Sequence, residues 1–162
     1  MNGSPLLVKI GEALGHSRLE AVLIGNAAAA LHGAPVTTMD VDFMFRKTPA
    51  NMAKLKLFAR QLRATILRPY YPASALFRVI NEEIGLQVDF MHVIHGVRSF
   101  PGLRARAQRI TIGGVDLWIA DLRDIIASKR AARRPRDLAV LEVLEVTLRE
   151  KEKLAAEKAR GA

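Results

Sequence analysis

Asp40 and Asp42 stand one residue apart in a stretch that otherwise alternates apolar side chains, and this spacing constrains the chain more than any other feature. Thr38-Met39-Asp40-Val41-Asp42-Phe43 reads as a strand, on which successive side chains point to opposite faces. Met39, Val41, Phe43 and Phe45 then share one face, and the two carboxylates share the other. Neighbouring carboxylates repel each other and lose hydration, so a fold that sets them side by side calls for a cation. Paired carboxylates on a rigid strand suit a Mg²⁺ ion carrying nucleotide phosphates.

The residues just upstream sharpen this reading. Val22 to Ile24 form a buried strand, broken by Gly25. Asn26 to Leu31 form a short alanine-rich helix that ends at His32-Gly33, with Gly33 suited to the left-handed position beyond a helix end. Elsewhere, Pro5 to Gly15 is an amphipathic helix and Leu19 to Ile24 the full first strand. Pro49 opens a helix over Ala50 to Ala64, with Met52, Leu55, Phe58, Ala59 and Leu62 inward. Ala75 to Ile80 and Leu86 to Val93 are strands of an antiparallel hairpin joined through Asn81-Glu82-Glu83-Ile84-Gly85. Arg109 to Ile112 and Val115 to Ile119 make a second hairpin around Gly113-Gly114. Asp121 caps a helix that runs to about Arg133, and Pro135 opens a last helix toward Lys158. Its end, from Arg149 to Arg160, reads as a solvated and fraying helix.

This order of strand, small residues, short helix with His-Gly, then Thr-x-Asp-x-Asp resembles the nucleotidyltransferase superfamily. It is most similar to the small bacterial proteins related to abortive-infection and type IV toxin nucleotidyltransferases, the AbiEii-like group. The third carboxylate of that family lies on a later strand, where Asp89 in Leu86-Gln87-Val88-Asp89-Phe90 fits. Its C-terminal helix carries a Lys, then Arg and Asp; Asp121 to Lys129, followed by Arg134-Pro135-Arg136-Asp137-Leu138, matches that element. The resemblance spans Leu19 to Leu141 and implies an α/β (α+β) fold, with a short mixed sheet flanked by helices and a helical C-terminus. It further implies Mg²⁺- or Mn²⁺-dependent transfer of a nucleoside monophosphate from an NTP to a hydroxyl on RNA, such as tRNA, or on a protein. A toxin-like activity with an antitoxin partner belongs to the same implication. The alternative is a non-catalytic module that keeps the fold and binds nucleotide or RNA.

On this resemblance Asp40, Asp42 and Asp89 are the catalytic and metal-binding residues. Gly25, Asn26, Thr38, Lys129 and Asp137 are the nucleotide-binding ones, with Arg133 or Arg134 assisting. Asp137 either fixes the basic residues or caps the helix that starts near Pro135. His32 reads as a helix-end residue. Two positions depart from the family. Asn26 stands where relatives carry Gly or Ser, and its larger side chain crowds the approach of the backbone to a triphosphate while offering an amide to it. Val36 stands where many relatives carry a basic residue. A rival transition-metal set, Asp89, His92 and His95, is spaced at three-residue intervals that alternate faces on a strand and do not converge.

Composition bounds the rest. With 162 residues the chain is expected to form one domain over 1–162, with its core at about 19–141 and its last helix at 135–158. There is no cysteine, which excludes disulfides, thiolate metal sites and cysteine nucleophiles. Half the residues are apolar, yet no run approaches a membrane span and no signal peptide is visible, so a soluble cytoplasmic protein without a membrane partner is expected. The net charge of +9 favours an anionic partner such as RNA, nucleotide or an acidic protein. No Walker loop, dinucleotide glycine pattern or serine nucleophile elbow appears.

Overall fold

A computed structural model describes residues 5–38 and 40–161. In chain order the elements are α1 (Pro5–Ser17), β1 (Ala21–Ile24), α2 (Gly25–Leu31), β2 (Val41–Phe45) and α3 (Pro49–Gln61). There follow β3 (Thr65–Leu67), β4 (Phe77–Asn81), a 3₁₀ turn (Glu82–Ile84), β5 (Leu86–Met91) and α4 (Phe100–Arg106). The chain closes with β6 (Gln108–Ile112), β7 (Val115–Ile119), α5 (Leu122–Ala132) and α6 (Pro135–Gly161). The seven strands form one sheet in the order β3-β4-β5-β2-β1-β7-β6. It is mixed: β2 runs parallel to β5 and β1 to β7, and every other pair is antiparallel.

Helices cover both faces, which explains why β1 is buried along its whole length. On one face α3 and α1 pack together, and Leu55, Phe58 and Ala59 of α3 meet the sheet. Phe43 and Phe45 of β2 and Phe90 of β5 point to that side, and the four rings, Phe58 included, form a continuous aromatic cluster. The other face carries α2, α5 and α6. The end of α2 follows the expectation for His32-Gly33. Gly33 takes a φ of 97°, its N–H donates to the Ala30 carbonyl, and the Ala34 N–H donates to that of Ala29. This is the paired hydrogen-bond pattern of a glycine-terminated helix.

Several boundaries differ from the sequence expectations, each for a local reason. The strand read from Thr38 begins only at Val41, because Thr38 Oγ1 accepts a hydrogen bond from the Asp40 N–H at 3.0 Å and closes a turn. Asp40 therefore precedes the strand instead of alternating within it; Met39 lies outside the described residues. Met44, on the face assigned to the carboxylates, is buried as well. In α3 the inward position beside Leu55 belongs to Asn51 rather than Met52, which is half-buried. Asn51 accepts from the Glu20 N–H and donates to the Glu20 and Arg46 carbonyls, so its buried amide is satisfied and pins α3 to the β1–β2 region. The edge strand β3 and the short α4 had no counterpart in the sequence reading. The last helix continues to Gly161 without a described break.

Candidate active site

The cavity that matters opens where Asp42, Asp89 and Arg78 line up across three strands beside the end of a fourth. Ile24 pairs with Asp42, Asp42 with Asp89, and Asp89 with Arg78, so β1, β2, β5 and β4 present one row across the sheet. Gly25 follows Ile24 directly with a φ of 68°, a backbone state that L side chains rarely adopt. A Cβ built there would lie 3.5 Å from Asp42 Oδ2, so space would admit a side chain and the backbone conformation is what calls for glycine. Asn26 follows, and α2 begins without any side-chain cap on its first amides.

The second wall comes from the α5–α6 corner. Asp121 caps α5, as expected, by accepting from the Arg123 N–H at 2.9 Å. Arg133 ends α5 in the left-handed conformation, and the chain turns into α6 at Pro135. Asp137, in the first turn of α6, is 1% exposed and accepts from the Arg134 backbone N–H and guanidinium. Lys129 Nζ lies 3.6 Å from its other oxygen. Burial opposes ionisation of Asp137, but Arg134 and Lys129 outweigh it and hold the carboxyl below its ordinary value. Asp137 thus fills both expected roles: it holds Arg134 and Lys129, and as the third residue of α6 it accepts from the N–H of Arg134, which precedes the helix. Burial pulls the Lys129 ammonium below its ordinary value, and Asp137 restrains the shift.

All eight residues singled out from the sequence, Gly25, Asn26, Thr38, Asp40, Asp42, Asp89, Lys129 and Asp137, line a single cavity of about 630 Å³. Arg134 and Arg136 line it too. Asp42 is the most perturbed of the acids. Burial first, then the charges of Asp89 and Asp40, push its carboxyl up to about 6, while Lys129 and Arg134 draw it down. A carboxylate held in that state gains from any cation that can reach it. Hard oxygen donors of this kind suit Mg²⁺ or Mn²⁺ rather than a soft metal. The donors thus fit such an ion, with one feature the sequence reading did not contain. Arg78 forms a two-point ion pair with Asp89, Nε to Oδ1 at 2.9 Å and Nη2 to Oδ2 at 3.2 Å. Among the described residues no three His, Cys, Asp or Glu side chains close on a common point.

Three histidines clarify what the cavity is not. His32 does not line it. Its Nε2 lies 2.7 Å from the Ala120 carbonyl and must donate there, so Nδ1 accepts from Lys151 Nζ at 2.7 Å. That pair of bonds ties α6 to the end of α2, which is a structural role. His92 and His95 do line the cavity with Asp89, but β5 ends at Met91 and His92 packs edge-on to Phe45.

The profile of the family described as nucleotidyl transferase of unknown function (DUF2204) matches residues 5–161. No curated protein matches the chain in sequence. Among solved structures, the crystal structure of ANT(2″)-Ia in complex with adenylyl-2″-tobramycin superposes with a TM-score of 0.61 at 17% identity, over 97% of both chains. The solution structure of the same antibiotic-resistance factor gives 0.60 at 14% identity, over 99% of this chain and 98% of that one. A putative nucleotidyltransferase from Thermotoga maritima gives 0.56 at 20% identity, over 89% of this chain and 91% of that one. These likenesses establish the fold as nucleotidyltransferase-like.

Proposed function

We propose, from the premise that the chain belongs to the nucleotidyl transferase family DUF2204, that it moves a nucleoside monophosphate from an NTP to a hydroxyl of an anionic acceptor, RNA before protein. The observation that carries this is that Asp40, Asp42, Asp89 and Lys129 line one cavity, with Asp42 and Asp89 adjacent in register. In the reaction the acceptor oxygen bonds to the α-phosphorus, the bond to the β-phosphate oxygen breaks, and pyrophosphate leaves. A Mg²⁺ or Mn²⁺ ion held by Asp40, Asp42 and Asp89 would supply charge neutralisation at the phosphate oxygens. Asp89 takes up the proton of the attacking hydroxyl. Lys129, kept in place by Asp137, and Arg134 face the β- and γ-phosphates. Gly25 lets the backbone come close, and the Thr38 hydroxyl and the Asn26 side-chain NH₂ donate to phosphate oxygens, while Asn26 Oδ1, which only accepts, is buried without a partner among the described residues.

The acceptor follows from charge. ANT(2″)-Ia is found with an adenylylated tobramycin, but a chain of net charge +9 repels a polycation and attracts a polyanion. A toxin-like activity of the AbiEii-related kind, countered by an antitoxin, agrees with an RNA acceptor. One nucleotidyltransferase-like domain over the whole chain houses the reaction, in the cytoplasm where NTPs are available. No helix among the described residues is long and apolar enough to cross a membrane.

Incubation with each α-labelled NTP, Mg²⁺ or Mn²⁺, and total RNA or total protein tests the reading. Label transfer is expected for the wild type and its loss, at least a hundred-fold, for Asp40→Asn with Asp42→Asn, which should remain folded by circular dichroism. Full activity in that variant, or no transfer by the wild type to any acceptor, overturns the enzymatic reading. The second reading, a binding module, is favoured by the Arg78 clasp on Asp89 and by Asn26. NTP binding without transfer would establish it.

A further inference from the structure

Arg78 stands where no motif placed it. It sits on β4 directly across from Asp89, while Asp42 flanks Asp89 from β2 on the other side. Its guanidinium meets both carboxylate oxygens, at 2.9 and 3.2 Å. The two side chains are only 25% and 13% exposed, so solvent screens the pair poorly. The fork fixes the plane of the Asp89 carboxylate and supplies the positive charge that this acid needs. A divalent ion approaching Asp89 would meet the guanidinium at close range in a poorly screened cavity, and like charges there repel strongly.

We infer that Arg78 is a positioning residue which occupies Asp89 as a stand-in cation and must withdraw before a divalent ion can use that carboxylate. Arg78 therefore sets the metal affinity of the site. The inference rests on the metal-assisted reading given above. It goes beyond that reading by assigning control of metal loading to a residue outside the carboxylate set. Lys129 does not compete in the same way, because its ammonium is engaged by Asp137 at the far wall.

The test is Mn²⁺ binding to the nucleotide-free protein, followed by electron paramagnetic resonance of the unbound ion. Arg78→Met keeps an unbranched stem and removes the charge, and is expected to bind Mn²⁺ at least ten-fold more tightly than the wild type. Arg78→Lys keeps the charge but loses the fork, and should fall between them. Melting temperature should drop in Arg78→Met under EDTA and recover more with Mn²⁺ than in the wild type. Adding Asp89→Asn should abolish the gain, so that Arg78→Met with Asp89→Asn binds Mn²⁺ no better than Asp89→Asn alone. Unchanged or weaker Mn²⁺ binding in both Arg78 variants overturns the inference and leaves the metal-assisted reading standing. Absence of Mn²⁺ binding in every variant, with or without NTP, overturns both. Should Arg78→Met fail to fold, the comparison of Arg78→Lys with wild type decides alone.

Discussion

On the ladder between β2 and β5, Phe43 stands opposite Phe90 and, one rung earlier, Asp42 stands opposite Asp89. The backbone geometry of the two rungs is the same, and the side chains leave it on opposite faces. On one face the rings of Phe43 and Phe90 stack with centroids 5.4 Å apart, and Phe45 and Phe58 close the cluster edge-on. All four are wholly buried. On the other face a half-buried carboxyl is pushed up to about 6 by its surroundings, and its neighbour is clasped by a guanidinium. Removing water from the first pair stabilises the fold; removing it from the second costs free energy. The two faces differ because the first needs only complementary shape, whereas the second awaits a charged ligand.

The largest expected effect lies on the aromatic face. Phe90→Ala empties the space that Phe43, Phe45 and Phe58 share, and should destabilise the protein by about 3–5 kcal/mol. Phe90→Leu keeps most of the volume and should cost roughly 1–2 kcal/mol. Urea unfolding midpoints measure both. A loss below about 1 kcal/mol for Phe90→Ala would mean that this face does not hold the sheet together.

On the carboxylate face the sign reverses. The Asp42 carboxyl rises from 3.8 to about 6 on folding. Between pH 4 and 6 the unfolded chain releases this proton first, so stability falls as pH rises through that window and stays lower above it. A shift of this size corresponds to about 3 kcal/mol as an upper bound. Asp42→Asn should therefore gain about 1–3 kcal/mol at pH 7.5 in EDTA and nothing at pH 4. A variant that is less stable than wild type at both pH values would show that Asp42 supports the fold instead of straining it.

The frame of this contrast was readable from the residues. The Gly33 helix end, the Asp121 cap and the Pro135 start all follow from local rules, and the structure keeps them, whereas of the apolar and acidic alternation it keeps Asp42 within β2 and not Asp40. The Arg78 clasp was partly readable: counting outward from the Asn81–Gly85 link, as an antiparallel hairpin requires, sets Arg78 opposite Asp89. What local rules could not supply was competition and distance. The Thr38 hydroxyl captured the Asp40 N–H and shortened β2. In α4, Ser99 caps a seven-residue helix that contains both Pro101 and Gly102, residues that conceal the helical signal. The bond from Lys151 to His32 joins positions 119 residues apart, which no periodicity reveals.

The smallest expected effect on stability is at Lys129, and it separates site chemistry from fold most cleanly. Its ammonium is largely buried, with the side chain 12% exposed, and its partner Asp137 is almost fully buried. Truncating one member of a buried pair is ordinarily costly, because the other charge is left alone. Asp137 is not left alone: Arg134 donates to it through backbone and guanidinium both. Truncation also removes the desolvation of the ammonium itself, which pulls its proton affinity down. These terms oppose each other, so Lys129→Ala should change stability by less than about 1 kcal/mol. Its effect on ligand should be larger, since a charge-assisted contact to a phosphate contributes roughly 1.5–3 kcal/mol, about a ten- to hundred-fold loss in NTP affinity. Lys153→Ala, on an exposed turn of α6, should change neither quantity. Calorimetric NTP titration with Mg²⁺ and urea unfolding on all three proteins give the answer. Equal affinities would remove Lys129 from the phosphate site, and a stability loss above about 3 kcal/mol would return it to the fold, on the same side of the ledger as Phe90.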